Sequence, residues 1–308
     1  MRIAEIEAGS VEPRSQSVVS VIVMHDPDSE FRARLKRVGG QVGRVILVDN
    51  HSAPSIRAEL RRLASASVDL IENDRNEGIG RALNQGMVRA SALGASWVLT
   101  LDQDSLVDPD LMEGLRSVYA RYPAQDRIGI IQSNARSRDS GHVFVRCRES
   151  APSFIEAKTV ITSGSLVALR AYSAVGPFRE DFFIEGVDLE YCLRLRRHGF
   201  KILLSCRPLM VHAAGMMRER RLFRRAVVVA NHAPWRYYYM SRNLSRIMAM
   251  YFRFEPLWVV TAAVNFAKSL VKLMLFEDRR REKIRYVGAG IRDAITGRDA
   301  HPASLLRP

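Results

Sequence analysis

Apolar and polar positions along the first two-thirds of the chain fall into blocks that read alternately as strand and helix. Residues 18–24, Val-Val-Ser-Val-Ile-Val-Met, form a short β-rich apolar run of the kind found in central parallel strands. A second run at 45–50, Val-Ile-Leu-Val-Asp-Asn, ends in a polar pair, and a third strand is expected over 68–72. Residues 55–63 have helical spacing. A loop at 76–80, Asn-Glu-Gly-Ile-Gly, leads into a helix expected over 81–93, with Leu83, Met87 and Ala90 on one face. The strand at 97–102 then ends abruptly in Asp102-Gln103-Asp104. This β-α-β-α-β order predicts an α/β fold with a mostly parallel, Rossmann-like central sheet flanked by helices. In such sheets ligands gather at the carboxyl ends of the strands, where Asp49, Asn50, Asp102 and Asp104 all lie.

The pattern continues with a helix near 110–121, a strand at 128–132 and a β element over 158–169. Its Ser-Gly-Ser at 163–165 permits close backbone approach to a ligand or forms a plain bulge. Residues 181–190 lead into a helix ending at His198-Gly199, with acids at its start and Arg194, Arg196 and Arg197 at its end, as the helix dipole favours. A strand near 201–205 and the segment 209–212 close this part. Beyond 215 the character shifts to long, Arg-rich helices. Aromatics and arginine interleave at 235–240 and 251–254, and a mostly apolar run at 257–267 is interrupted by Asn265 and followed by Lys268 and Lys272. That run is short and charged for a transmembrane helix; an amphipathic helix in a membrane interface, or one packed on the rest of the protein, suits it better.

Charge sharpens the division. Residues 214–308 hold 19 Lys/Arg against 7 Asp/Glu, whereas residues 1–213 are nearly balanced. An anionic partner surface is the natural complement, and the membrane explains it better than nucleic acid, which would leave the acidic strand ends without a purpose. No nucleic-acid partner is expected. The 308 residues divide into a polar tail at 1–17, an α/β domain at 18–215 and a basic, aromatic-rich helical region at 216–308. The tail has no apolar stretch of the secretory type. Cys147, Cys192 and Cys206 are scattered, so a reducing compartment is expected, without a disulfide scaffold or structural zinc.

Two aspartates at a buried strand tip can share a divalent cation and a diphosphate. The motifs around them resemble inverting glycosyltransferase family 2 with the GT-A fold, especially its bacterial rhamnosyltransferase branch. The likeness covers roughly residues 18–215. It rests on Asp26-Pro27-Asp28, Val-Asp-Asn-His-Ser at 48–52, the Asn76–Gly86 run, Leu-Asp-Gln-Asp-Ser at 101–105, Phe-Ile-Glu-Gly-Val-Asp-Leu-Glu at 183–190, and Val211-His212, in that order.

The resemblance implies that Asp49, Asn50, Asn76, Gly78, Asp102 and Gly164 bind the nucleotide-sugar. It also implies that Asp102, Asp104 and His212 hold Mg²⁺ or Mn²⁺, that Asp188 is the general base, and that Glu190 supports the acceptor site or the helix start. The donor it favours is dTDP-rhamnose, with a UDP-sugar as the alternative. The acceptor would be a glycan or a polyprenyl-diphosphate-linked glycan, and the enzyme cytoplasmic, peripheral on the inner face of the membrane. Met24-His25-Asp26 and Gly186 depart from the family pattern.

Overall fold

The computed structural model describes residues 11–138, 140–148, 153–212, 218–222, 225–229 and 231–299. The start of the expected N-terminal tail and the expected boundary at 215–216 lie outside them. The chain divides into two compact units: Met1–Phe183 with Val187–Ala213, and Ile184–Gly186 with Ala214–Pro308.

The first unit is built on one mixed sheet. Strands β1 (Val18–Met24), β2 (Arg44–Asp49), β3 (Val68–Glu72) and β4 (Trp97–Asp102) are mutually parallel in the order β3-β2-β1-β4. Their Val, Ile and Leu side chains are almost wholly buried in β1, β2 and β4, as parallel strands covered on both faces require. Helices α1 (Phe31–Gly39), α2 (Pro54–Leu63) and α3 (Ile79–Ala92) supply the crossovers.

Beyond β4 the sheet departs from the mostly parallel expectation. Strands β5 (Leu106–Val107), β6 (Ile128–Ser137), β7 (Phe154–Glu156), β8 (Ser165–Ala168) and β9 (Lys201–His212) complete it, with α4 (Leu111–Arg121), α5 (Leu169–Val175) and α6 (Val187–Arg197) around them. Here β8 is antiparallel to both β4 and β6, β6 and β9 are parallel, and β9 is antiparallel to β5 and β7. The expected β element at 158–169 is a strand only over β8, and α5 begins at Leu169. Conversely, the two segments expected at 201–205 and 209–212 form one strand, which passes through Pro208 where the β6–β9 register shifts. A proline at an irregularity costs no regular ladder bond.

One further expectation is corrected. Cys147 and Cys206 are disulfide-bonded, with Cα atoms 5.7 Å apart, and Cys192 is free and buried. The bond ties the loop after β6 to β9.

The second unit holds an antiparallel hairpin, β10 (Arg218–Leu222) with β11 (Arg225–Val229), and helices α7 (Pro234–Tyr251), α8 (Pro256–Phe276) and α9 (Arg280–Thr296). Helices α7 and α9 meet closely at Gly290, where an added Cβ would lie 2.4 Å from Tyr238 O. Tyr237, Tyr238 and Tyr239 are buried, and so is Arg242, whose guanidinium lies over the Tyr238 and Tyr239 rings and pairs with Asp299. Lys283 is also buried, its Nζ 2.8 Å from Glu277, which accepts the Tyr237 hydroxyl. The arginine–aromatic interleaving at 235–243 therefore builds a core.

Candidate active site

Strand β4 delivers Asp102 at its tip, and a tight turn follows in which Ser105 N–H bonds Asp102 O at 3.1 Å. The two residues of β5 then pair with the end of β9, Leu106 opposite Val211. That register sets Ser105 beside His212, whose Nδ1 lies 3.2 Å from Ser105 Oγ. Asp102, Asp104 and His212 each offer a ligand atom, all within 4.8 Å of one another. The turn is braced from several sides. Ser163 Oγ accepts the Asp102 N–H at 3.1 Å and lies 2.6 Å from Ser105 Oγ. Buried Arg34 donates to Gln103 O at 2.9 Å, and the Gln103 amide exchanges two hydrogen bonds with the His25 backbone.

Burial, reinforced by the neighbouring charge of Asp104, pushes the Asp102 carboxyl up to about 7. Burial lowers His212, with Asp104 acting in the opposite direction and Arg138 adding to the lowering. The cluster is thus two crowded carboxylates and an imidazole held toward its neutral, metal-binding form. Oxygen-rich sets of this kind suit a hard divalent cation. Arg138 donates to Asp104 O at 2.5 Å, and Phe144 meets the His212 ring edge-to-face at 6.4 Å.

The other expected residues have different surroundings. Asp49 is wholly buried, accepts Ser52 N–H at 3.2 Å and lies 3.5 Å from Arg57 Nε. These contacts organise the end of β2. Asn50 is also buried: its amide donates to Asn76 Oδ1 at 2.9 Å and accepts from Asn73 and Glu77 N–H. Asn76 Oδ1 accepts Gly78 N–H at 3.0 Å as well. Asn50 and Asn76 together fold the loop before α3, and Gly78 closes it with φ +83, where a Cβ would meet Phe183 O at 2.6 Å. Gly164 is buried with φ +78, and the space its Cβ would need is filled by Met210 Sδ at 2.4 Å. Its Cα is thus packed closely against Met210.

Helix α6 carries Asp188 and Glu190 in its first turn. Asp188 accepts the Leu189 N–H at 2.8 Å and, with Thr100, Thr162, Ser165 and Cys192, lines a small cavity of about 10 Å³. It thus lies against the same strand that presents Asp102. Glu190 is 3% exposed, and both its oxygens bind Arg194, at 3.1 and 2.8 Å. Glu190 is thus engaged in an ion pair within the first turns of α6.

A family model described as "Glycosyl transferase family 2" matches residues 21–165, a stretch containing the strand-end carboxylates and the loop before α3. The curated relatives agree. The dTDP-rhamnosyl transferase RfbF of Shigella flexneri is 26% identical over 296 residues, 92% of this chain and 96% of the relative. The chain is a glycosyltransferase whose residues 21–165 resemble family 2. Its likeness to the succinoglycan biosynthesis protein ExoO of Rhizobium meliloti (strain 1021) is 28% over 167 residues, 52% of this chain and 46% of that protein. In fold, this glycosyltransferase is similar to GalNAc-T7, solved with UDP, GalNAc and Mn²⁺. The TM-score is 0.55 and the identity 14%, over 76% of this chain and 48% of that one.

Several residues of the glycosyltransferase site escape a linear reading. Ser163, Arg138 and Phe144 are brought to the Asp102–Asp104–His212 cluster by the fold and not by nearness in the chain. The Glu190–Arg194 pair did have a signal, since acid and arginine four apart on one helix face are neighbours.

Proposed function

We propose that this glycosyltransferase is metal-dependent and inverting, and that it moves L-rhamnose from dTDP-rhamnose to a glycan or lipid-linked glycan at the cytoplasmic face of the membrane. The catalytic domain is assigned to residues 18–215 and the basic helical region to 216–308. The observation that carries the mechanism is the convergence of Asp102, Asp104 and His212 at the tip of β4. Those residues would hold Mg²⁺ or Mn²⁺, which when bound acts as a Lewis acid on the departing diphosphate. The donor assignment draws on the likeness to the Shigella dTDP-rhamnosyl transferase along nearly the whole chain.

The remaining chemistry belongs to the side chains. An acceptor hydroxyl is a weak nucleophile, and Asp188 takes its proton as the oxygen attacks the anomeric carbon. The bond from that carbon to the diphosphate oxygen breaks on the opposite side, releasing dTDP and inverting the centre. Arg138, beside Asp104 and exposed, adds a cation where negative charge collects. Ser105 and Ser163 hold the Asp102 turn and the His212 ring in place.

The test is a donor screen by thermal shift and saturation-transfer NMR with dTDP-rhamnose, UDP-sugars and GDP-sugars, with and without Mg²⁺ or Mn²⁺. Metal-enhanced, selective binding of dTDP-rhamnose, lost in Asp104→Ala, is the expected result. Selective binding of a UDP-sugar would keep the mechanism and replace the donor. A folded protein that binds no nucleotide would overturn the site assignment.

A further inference from the structure

Helix α8 is long and apolar enough to cross a membrane by length and composition, yet its surface is divided into three lengthwise sectors. One stripe packs inward: Leu273 is buried, and Phe266 and Leu270 lie against Tyr237 and Val287. A second is exposed and apolar, made by Leu257 at 77%, Val260 at 61%, Val264 at 47%, Val271 at 56%, and Met274 and Leu275 at 57% each. At about 100° per residue these six fall within an arc of about 100°. Thr261, Asn265, Lys268, Ser269 and Lys272, also exposed, fill the adjoining arc of about 100°.

A spanning helix would have to place the lysine sector in hydrocarbon while one stripe stayed on the protein. Lying in the membrane plane satisfies all three sectors at once: protein on one side, acyl chains under the second, headgroups along the third. We propose that α8 is a docking surface for an anionic phospholipid bilayer, lying in the interface with the Leu257–Leu275 stripe inserted and Lys268 and Lys272 at phosphate depth.

Charge complementarity selects this occupant. Helix α8 contains no acidic residue, and exposed Arg253, Arg280 and Arg281 flank its ends. A second copy seated on the stripe would find no carboxylate on this helix to meet its lysines, whereas anionic headgroups supply negative charge along the whole edge. At roughly 1.5 Å per residue the helix is about 31 Å long, enough to anchor one protein side-on. This deepens the proposed transfer to a lipid-linked acceptor, and only its biological purpose rests on that reading.

The test uses the full chain in flotation with vesicles of phosphatidylcholine alone or mixed with phosphatidylglycerol, at low and high salt, beside analytical ultracentrifugation. Flotation with the anionic vesicles alone is expected, weakened by salt and at least about tenfold by Val264→Glu with Val271→Glu, or by Lys268→Glu with Lys272→Glu. Both pairs are solvent-facing, so donor binding in solution should be unchanged and reports that each variant is folded. Alkaline carbonate should release the protein from membranes of expressing cells. Unweakened flotation of both variants, no flotation of the wild type, retention after carbonate, or a dimer that the stripe variant converts to monomer would each overturn the proposal. Flotation without any nucleotide-sugar binding would leave the docking surface standing and remove the proposed activity.

Discussion

Asp188 and Glu190 sit two residues apart on one helix, and one pair of substitutions can tell the proposed base from the partner of Arg194. Glu190 is 3% exposed and binds Arg194 through both oxygens, while Arg194, 17% exposed at its side chain, also donates to Val175 O at 2.9 Å. Removing one partner of a buried ion pair costs about 3–5 kcal/mol because the other charge stays behind. Glu190→Gln keeps the shape and one acceptor, so the expected loss is about 3 kcal/mol at the lower end of that range. In a domain of this size each kcal/mol moves Tm by roughly 2–4 °C, which gives a fall of about 6–12 °C. Turnover measured well below Tm should stay within about twofold, since an internal pair adds nothing specific to the transition state. Asp188→Asn should do the reverse, lowering kcat by about 10²–10⁴ with little change in Tm. Glu190→Met combined with Arg194→Met should recover part of the lost stability, as apolar replacement of a whole pair often does. Differential scanning fluorimetry beside steady-state kinetics reads all four proteins. A Glu190→Gln enzyme with wild-type Tm and kcat reduced a hundredfold would refute the reasoning and return Glu190 to the acceptor site.

Asp104→Asn should abolish the Tm rise produced by metal and donor together while leaving the ligand-free Tm nearly unchanged; an intact rise would exclude Asp104 as a ligand. Gly164→Ala forces a side chain into φ +78 against Met210 and should cost about 1–3 kcal/mol in urea unfolding, with partial rescue by Met210→Ala. Thiol titration of protein denatured without reductant should count one reactive cysteine, Cys192, and three after reduction; three at the outset would contradict the Cys147–Cys206 bond. Hydrogen bonding from Arg61, with further help from Arg57, holds the Glu72 carboxyl below its usual range. A folded pKa below the unfolded one stabilises at neutral pH, and the benefit fades as pH falls from about 4.3 through the depressed value. Arg61→Gln should therefore lower Tm at neutral pH but not below that window, and a uniform shift across pH would refute the linkage.

What could be read from the chain in advance followed the range of the interactions. The strand at 97–102 was legible because a buried parallel strand is apolar along its length, and an acidic pair at its end has no place in a core. His212 is brought to those acids by the two-residue strand β5 and by a long β9 that passes through Pro208, neither of which leaves a periodic trace. Cys147 and Cys206 are 59 residues apart, and only the β6–β9 neighbourhood brings them together. The Tyr–Arg stretch at 235–243 looks interfacial when its partner is unknown; packing of α7 against α9 at Gly290 makes it interior. The internal contacts of Asp49 with Ser52 and of Gly164 with Met210 left no trace in the sequence either.

The residues leading into α6 hold an uncommon backbone conformation. Phe183, Glu185 and Gly186 adopt φ of +60, +65 and +76. For the two non-glycine residues such backbone costs on the order of 1–3 kcal/mol each and persists only where surroundings impose it. The imposing contacts are visible. Phe183 O accepts the Ile79 N–H at 2.7 Å, at the start of α3. Asn243 of α7 donates to both Ile184 O and Glu185 O, at 2.8 and 2.7 Å, and Arg236 pairs with the Glu185 carboxylate. Asp188, one residue inside the start of α6, lines a cavity with Thr100 of β4. Glu190 pairs one turn further along its own helix with Arg194, where it stabilises the element that carries the acid before it.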